Sequence, residues 1–128
     1  MLMMTFVFAG LAALFHVFFF LMESIWWMKP AIQKIFRQSE QDATVMKLMA
    51  FNQGFYNLFL AVGTMIGLLF VLDGKTAVGF TMITSFCSVM LGAACILYVS
   101  SPRMIRGALI QGLPPLLYLL SLIYPHPF

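Results

Sequence analysis

Charge is what this sequence has least of. It holds four acids and seven Lys or Arg in 128 residues, against 62% hydrophobic residues and a mean hydropathy of +0.99. Soluble domains carry about 25% charged residues, so a water-soluble fold is disfavoured. The basic residues form no run and no aromatic-basic interleaving, which removes nucleic acid as an expected partner. Two His cannot build the histidine clusters of membrane di-iron enzymes, and the sequence has no Cys-x-x-Cys for quinone-linked disulfide chemistry. It also has no Gly-rich phosphate loop and no Ser in a nucleophile elbow. A metal would have to rely on His16, Glu23 and amides, a weak set, so no metal and no cofactor are expected. Cys87 and Cys95 share one apolar stretch, where eight residues of helix separate them by roughly 12 Å, beyond disulfide reach. The N-terminus has no basic segment and no small-residue cleavage site before the first charged residues, so the first apolar stretch is expected to remain in the mature chain.

Long apolar runs are what the sequence does have. A hydrocarbon core about 30 Å thick needs about 20 residues of helix, and four stretches approach that length: Met4 to Met28, Met46 to Leu72, Ala77 to Val99 and Gly107 to Tyr124. The expected fold is therefore all-α, a single domain over residues 1–128 forming a four-transmembrane-helix bundle. In the longest connector Pro30 breaks the first span. Ile32, Ile35 and Phe36 then recur at helical spacing beside Lys34 and Arg37, as in a short helix lying on the membrane surface. Ser39 followed by Asp42 resembles a capping box and puts a helix start near Glu40. Asp73 to Thr76 and Ser100 to Arg106 read as tight turns.

Lys29, Lys34, Arg37 and Lys47 flank the first connector and Arg103 and Arg106 the third, leaving Lys75 alone on the other side. The positive-inside rule then places both termini on the non-cytoplasmic side of a cell membrane, the bacterial inner or plasma membrane. Trp26 and Trp27 fall at the cytoplasmic interface, where indoles anchor helices.

Several residues sit badly in lipid. Glu23 lies within the first span, where a lipid-facing acid would cost about 2.5–3.5 kcal/mol, so it must face protein or water. His16 lies seven residues earlier on nearly the same face, too far for direct contact. The second span carries Asn52, Gln53, Tyr56 and Asn57, then Gly63, Thr64 and Gly67, all within an arc of about 140°. Gln111 stands in the fourth span with Pro115 and Tyr118 nearby, and Pro114 and Pro115 should bend that helix and free carbonyls. Counted from the cytoplasmic end of each helix, His16, Glu23, Asn52, Gln53, Tyr56, Asn57 and Gln111 converge in one half of the membrane. We read them as the lining of a polar cavity. The bland alternative for the amides and Tyr56 is hydrogen-bonding glue between helices, and for His16 an ordinary core histidine. Thr81, Ser85, Ser88, Gly92 and Cys95 form a stripe of small side chains assigned to helix packing, as are Gly63 and Gly67.

The string Asn52, Gln53, Gly54, Phe55, Tyr56, Asn57, the acid Glu23 in the first helix, and Gln111, Gly112 and Pro114 in the last resemble the recurrent motifs of the bacterial domain-of-unknown-function 1304 family. The resemblance covers nearly the whole chain. It implies a four-helix integral membrane protein and leaves the activity unspecified.

Three functions fit these residues. The first is binding of a small apolar or amphipathic molecule, with Glu23 as acid, base or counter-ion and the amides and Tyr56 orienting polar groups. The second is proton-coupled transport centred on Glu23, by likeness to the four-helix small multidrug transporters, although the one-sided basic residues argue against their antiparallel dimers. The third is a structural or assembly protein whose polar cluster fixes helix register. Membrane lipids are the expected surroundings, a homodimer through the small-residue stripe stays open, and whether the chain is an enzyme is left undecided.

Overall fold

The computed structural model describes residues 2–123, whose regular elements are all helices joined by short turns, with no strand among them. Helix α1 (Leu2–Phe20) runs into a π turn (Leu21–Ile25). There follow α2 (Pro30–Ile35), α3 (Glu40–Leu72), α4 (Thr76–Ser100), a 3-10 turn (Pro102–Met104) and α5 (Ile105–Ser121). Three helical stretches, Met3–Ile25, α3 and α4, are long and apolar enough to cross a membrane. Helix α5 has 17 residues, and Tyr124, the expected end of the fourth span, lies outside the described residues.

Local chemistry sets these boundaries. Pro30 occupies the first position of α2, where its missing N–H costs nothing. Ser39 caps α3 as expected: its Oγ accepts from Asp42 N at 3.0 Å and donates to the Asp42 carboxylate at 2.6 Å. The α3–α4 turn holds Gly74 at φ +82°, a left-handed conformation that glycine adopts freely. At 33 residues α3 is about 50 Å long. That length carries Glu40, Asp42 and Lys47 beyond the apolar part of the helix.

Helix α1 packs against α3 and α5, α4 packs against the same two, and α1 scarcely meets α4. The four long helices thus close into a ring in chain order. Short connections make ring neighbours antiparallel, so residues 26–39 and 101–104 lie at one end, here the connector end, and Asp73–Lys75 at the other. Trp27 ties the connector to α3: it is buried, its Nε1 donates to Ala43 O at 2.8 Å, and its ring lies 5.1 Å from that of Phe36. Trp26 stays partly exposed, with the Lys29 ammonium 5.3 Å from its ring.

Small residues set the spacing of the ring. A Cβ on Gly79 would lie 2.6 Å from Gly67 O, and one on Gly112 2.7 Å from Ala94 Cβ. Gly63 lies against the Phe86 ring. Gly63 and Gly67 therefore serve the packing role expected of them. Within the chain the stripe on α4 does not. Thr81, Ser85, Ser88, Gly92 and Cys95 are exposed, and the helix buries Gly79, Ile83, Cys87, Met90 and Ala94 instead. The physical reason is that Thr81, Ser85 and Ser88 each donate to the carbonyl four residues back at 2.7–2.8 Å, so their hydroxyls need no partner from another helix.

Gly79→Ala should destabilise the bundle by about 1–3 kcal/mol, because its Cβ meets α3 backbone that cannot rotate away. Gly92→Ala, with nothing within 4 Å, should be neutral or stabilising. Unfolding of both purified variants in detergent checks the contrast.

Candidate functional site: a cleft beside Glu23

Glu23 sits in the middle of the π turn that ends the first long helix. The wider winding is closed by Trp26 N donating to Leu21 O at 2.8 Å, across five residues. This turn lies directly on α3 because Gly54 has no side chain. A Cβ there would fall on Ser24 Oγ and within 3.0 Å of Ser24 N and 3.1 Å of Phe20 O. Ser24 Oγ donates to Phe51 O at 2.7 Å, fastening the turn to the helix. One α3 turn beyond Gly54, Asn57 is 7% exposed and donates from Nδ2 to Glu23 Oε2 at 2.7 Å. The acid in the first helix is thus held by an amide from the second.

This pair borders a cleft of about 1030 Å³ between α1, the connector, α3, α4 and α5. Gln53 and Gln111 add polar groups to the lining, and Phe18, Phe19, Met22, Ala93, Ile96 and Ile110 make it largely apolar. A second recess of about 520 Å³, bordered by Ser24, Trp27, Lys47 and Phe51, also has Glu23 in its wall. Pro114 and Pro115 lie buried inside α5. Having no N–H, they cannot donate to the carbonyls of Ile110 and Gln111, both residues of the cleft lining.

Of the seven residues expected to line a cavity, Glu23, Gln53, Asn57 and Gln111 are brought together. Asn52 is exposed and donates to Leu48 O on its own helix at 3.0 Å. Tyr56, 63% exposed, also turns outward. The inward stripe of α3 runs through Ala50, Gly54, Asn57, Ala61, Thr64, Gly67 and Val71, a repeat of three and four residues. Asn52 and Tyr56 lie about 140° and 100° around the helix from Asn57, outside that stripe. His16 is fully buried but does not reach the cleft lining. Its Nδ1 lies 2.8 Å from Ala12 O. A carbonyl can only accept, so Nδ1 carries the hydrogen, and Nε2 points into the core with no hydrogen-bond partner among the described residues. Among the described residues no three of His, Cys, Asp and Glu converge as metal ligands, and both cysteines are free, Cys87 buried and Cys95 exposed.

Residues 10–123, from within α1 to just past the end of α5, match the model of DUF1304, described as a protein of unknown function. The chain belongs to that family. No curated protein and no solved structure matches it.

The residues that carried the DUF1304 resemblance divide their work. In the string from Asn52 to Asn57, Gly54 admits the π turn, Asn57 holds Glu23, and Gln53 borders the cleft. Phe55 stacks edge-on against Phe20, ring centroids 5.1 Å apart. The Gln-Gly pair places Gln111 in the lining and Gly112 against Ala94. Sequence reasoning missed Ser24, the close approach at Gly54, and the presence of Lys34, Arg37, Arg103 and Arg106 in the cleft wall. The signal for those four was their shared position on two connectors at one end of the bundle.

Gly54→Ala should unseat the π turn and destabilise the protein by about 1–3 kcal/mol. The double variant Ser24→Ala/Gly54→Ala should recover part of that loss, since it removes the hydroxyl overlap but leaves Ser24 N and Phe20 O in place. Thermal unfolding of the two variants measures the recovery.

Proposed function

We propose that this DUF1304 chain is a four-span integral protein of the cell membrane, its termini on the non-cytoplasmic side, that binds a small apolar or amphipathic molecule in a cleft opening toward the cytoplasm. The observation that carries this reading is the Glu23–Asn57 pair at the wall of a large, mostly apolar cleft. A carboxyl used only as glue would be enclosed by packing, whereas this one borders open space. Seventeen residues give α5 a length of about 26 Å, close to the hydrocarbon thickness, which supports its counting as the fourth span. The basic residues of the two connectors set the orientation. Within the cleft Glu23 exchanges protons or hydrogen bonds with the ligand, and Asn57, Gln53 and Gln111 orient its polar groups. Binding requires no reaction, and none is assigned.

Proton-coupled transport centred on Glu23 is the second reading: an acid within an apolar span borders two recesses, but both lie at the connector end, so release to the far side would require the bundle to rearrange. The outward stripe of α4 is the face on which two copies would pack, since small side chains let helices approach closely.

Purified wild type and Glu23→Gln should be compared in a thermal-stabilisation screen of lipids, quinones, terpenoids and hydrophobic cations between about pH 5 and 9. We expect at least one compound to stabilise the wild type, by about 2.7 kcal/mol at a hundred times its Kd, and to leave Glu23→Gln unmoved. Two proteins that respond alike to every compound would mean that the cluster only fixes helix register. Uptake into proteoliposomes driven by an imposed proton gradient, abolished in Glu23→Gln, would select the transport reading.

A further inference from the structure

The cleft beside Glu23 is unevenly lined. Phe18, Phe19, Met22, Ala93, Ile96 and Ile110 form its apolar wall, and Lys34, Arg37, Arg103 and Arg106 also border it. Lys34 and Arg37 come from the end of α2, Arg103 from the 3-10 turn and Arg106 from the start of α5. Segments remote in sequence thus bring four positive charges to one opening at the connector end. Glu23 is the one acid in the lining, and it is already held by Asn57. Among the described residues the single ion pair is Lys75–Asp73, at the opposite end of the bundle, so none of the four cations has a carboxylate partner.

Like charges gathered at a low-dielectric cleft repel one another and focus a field that attracts an anion. Membrane orientation alone would be served by basic residues anywhere on the two connectors, as Lys29 beside Trp26 illustrates. Arg37 adds a separate observation. It has φ +54°. Gln38 N donates to Gln33 O at 2.9 Å and Arg37 N to Lys34 O at 3.2 Å, so Arg37 occupies the left-handed position that ends a helix and is usually glycine. The backbone would be better served by Gly, and the steric cost of Arg is explained if its guanidinium has a task at the cleft.

Resting on the ligand-binding reading above, we propose that the ligand is an anionic amphiphile. Its phosphate or carboxylate head sits among Lys34, Arg37, Arg103 and Arg106, and its hydrocarbon lies along the wall formed by Phe18, Phe19, Met22 and Ile96. Guanidinium groups suit such heads because their N–H groups pair with two oxygens at once. The apolar wall requires the head to carry a hydrocarbon tail.

The test uses the full chain in neutral detergent at about 0.1 M salt, with lysophosphatidylglycerol, lysophosphatidylcholine of the same acyl chain, and glycerol phosphate as probes in native mass spectrometry. Lysophosphatidylglycerol should bind about tenfold more tightly than lysophosphatidylcholine, and Arg103→Gln/Arg106→Gln should bring the two within about twofold. Arg37→Gly should weaken lysophosphatidylglycerol by about threefold or more while its unfolding temperature stays level or rises, so lost binding cannot be put down to lost fold. Equal binding of the two lysolipids, unaffected by these variants, overturns the charge selection and leaves the ligand-binding reading standing. Glycerol phosphate binding as tightly as the lysolipid shows a site for a free phosphate and overturns the amphiphile. Binding of neither lysolipid counts against both.

Discussion

A carboxyl group within a helix apolar enough to cross a membrane needs a hydrogen-bond donor from the protein wherever it does not meet water, because apolar side chains and lipid offer none. Much of this structure follows from how Glu23 meets that requirement. The donor is an amide on the neighbouring helix, and a 2.7 Å bond to it forces the two helices close together. Gly54 makes the approach sterically feasible, Ser24 fastens it to the Phe51 carbonyl, and the π turn presents the acid to α3. Asn57 fills only part of the hydrogen-bonding capacity of a carboxyl group. The remaining capacity belongs to a residue that borders open space on the connector side of the bundle.

The part of this site legible in the sequence was the part governed by cost. An acid in a span has to be satisfied, so Glu23 announced itself, and counting residues from helix ends placed Gln53 and Gln111 near its depth and Asn57 farther in, within the same half of the membrane. Which way the polar residues of α3 turn was not legible. Helical periodicity treated Asn52, Tyr56 and Asn57 as one broad face, but in a membrane polarity does not decide which face is inward. Steric fit does, and the small residues Ala50, Gly54, Ala61 and Gly67 mark the contact stripe. The α4 stripe misled for a related reason: small residues permit close approach without requiring it, and hydroxyls bonded to their own helix are content on either side. The π turn left no trace in periodicity, since one widened turn at the end of a helix falls within the tolerance of a pattern reading. Ser39 and Pro30, whose effects are local, were legible in full.

The basic residues illustrate how one sequence feature answers to two physical demands. On the sequence alone, six cations at one end of the helices are an insertion signal. Folding gathers four of them around the mouth of a single cleft, one with its backbone in a conformation that a glycine would adopt more easily. The connector is held in place for this by Trp27, whose indole bonds to Ala43 and packs against Phe36, so the position of Lys34 and Arg37 is tied to the start of α3.

The Gly67–Gly79 contact has a mechanical consequence. Where two backbones touch, no side chain remains to change rotamer and absorb a displacement, and the short Asp73–Lys75 turn clamps the same two helices a few residues away. The α3–α4 hairpin is therefore the stiff post of the bundle at that end. A guest too wide for the cleft would have to be accommodated elsewhere, by the π turn and the connector, where the contacts are side-chain hydrogen bonds and ring edges that can slide. Compliance would then be concentrated around Glu23, the group whose pairing the bundle is built to provide.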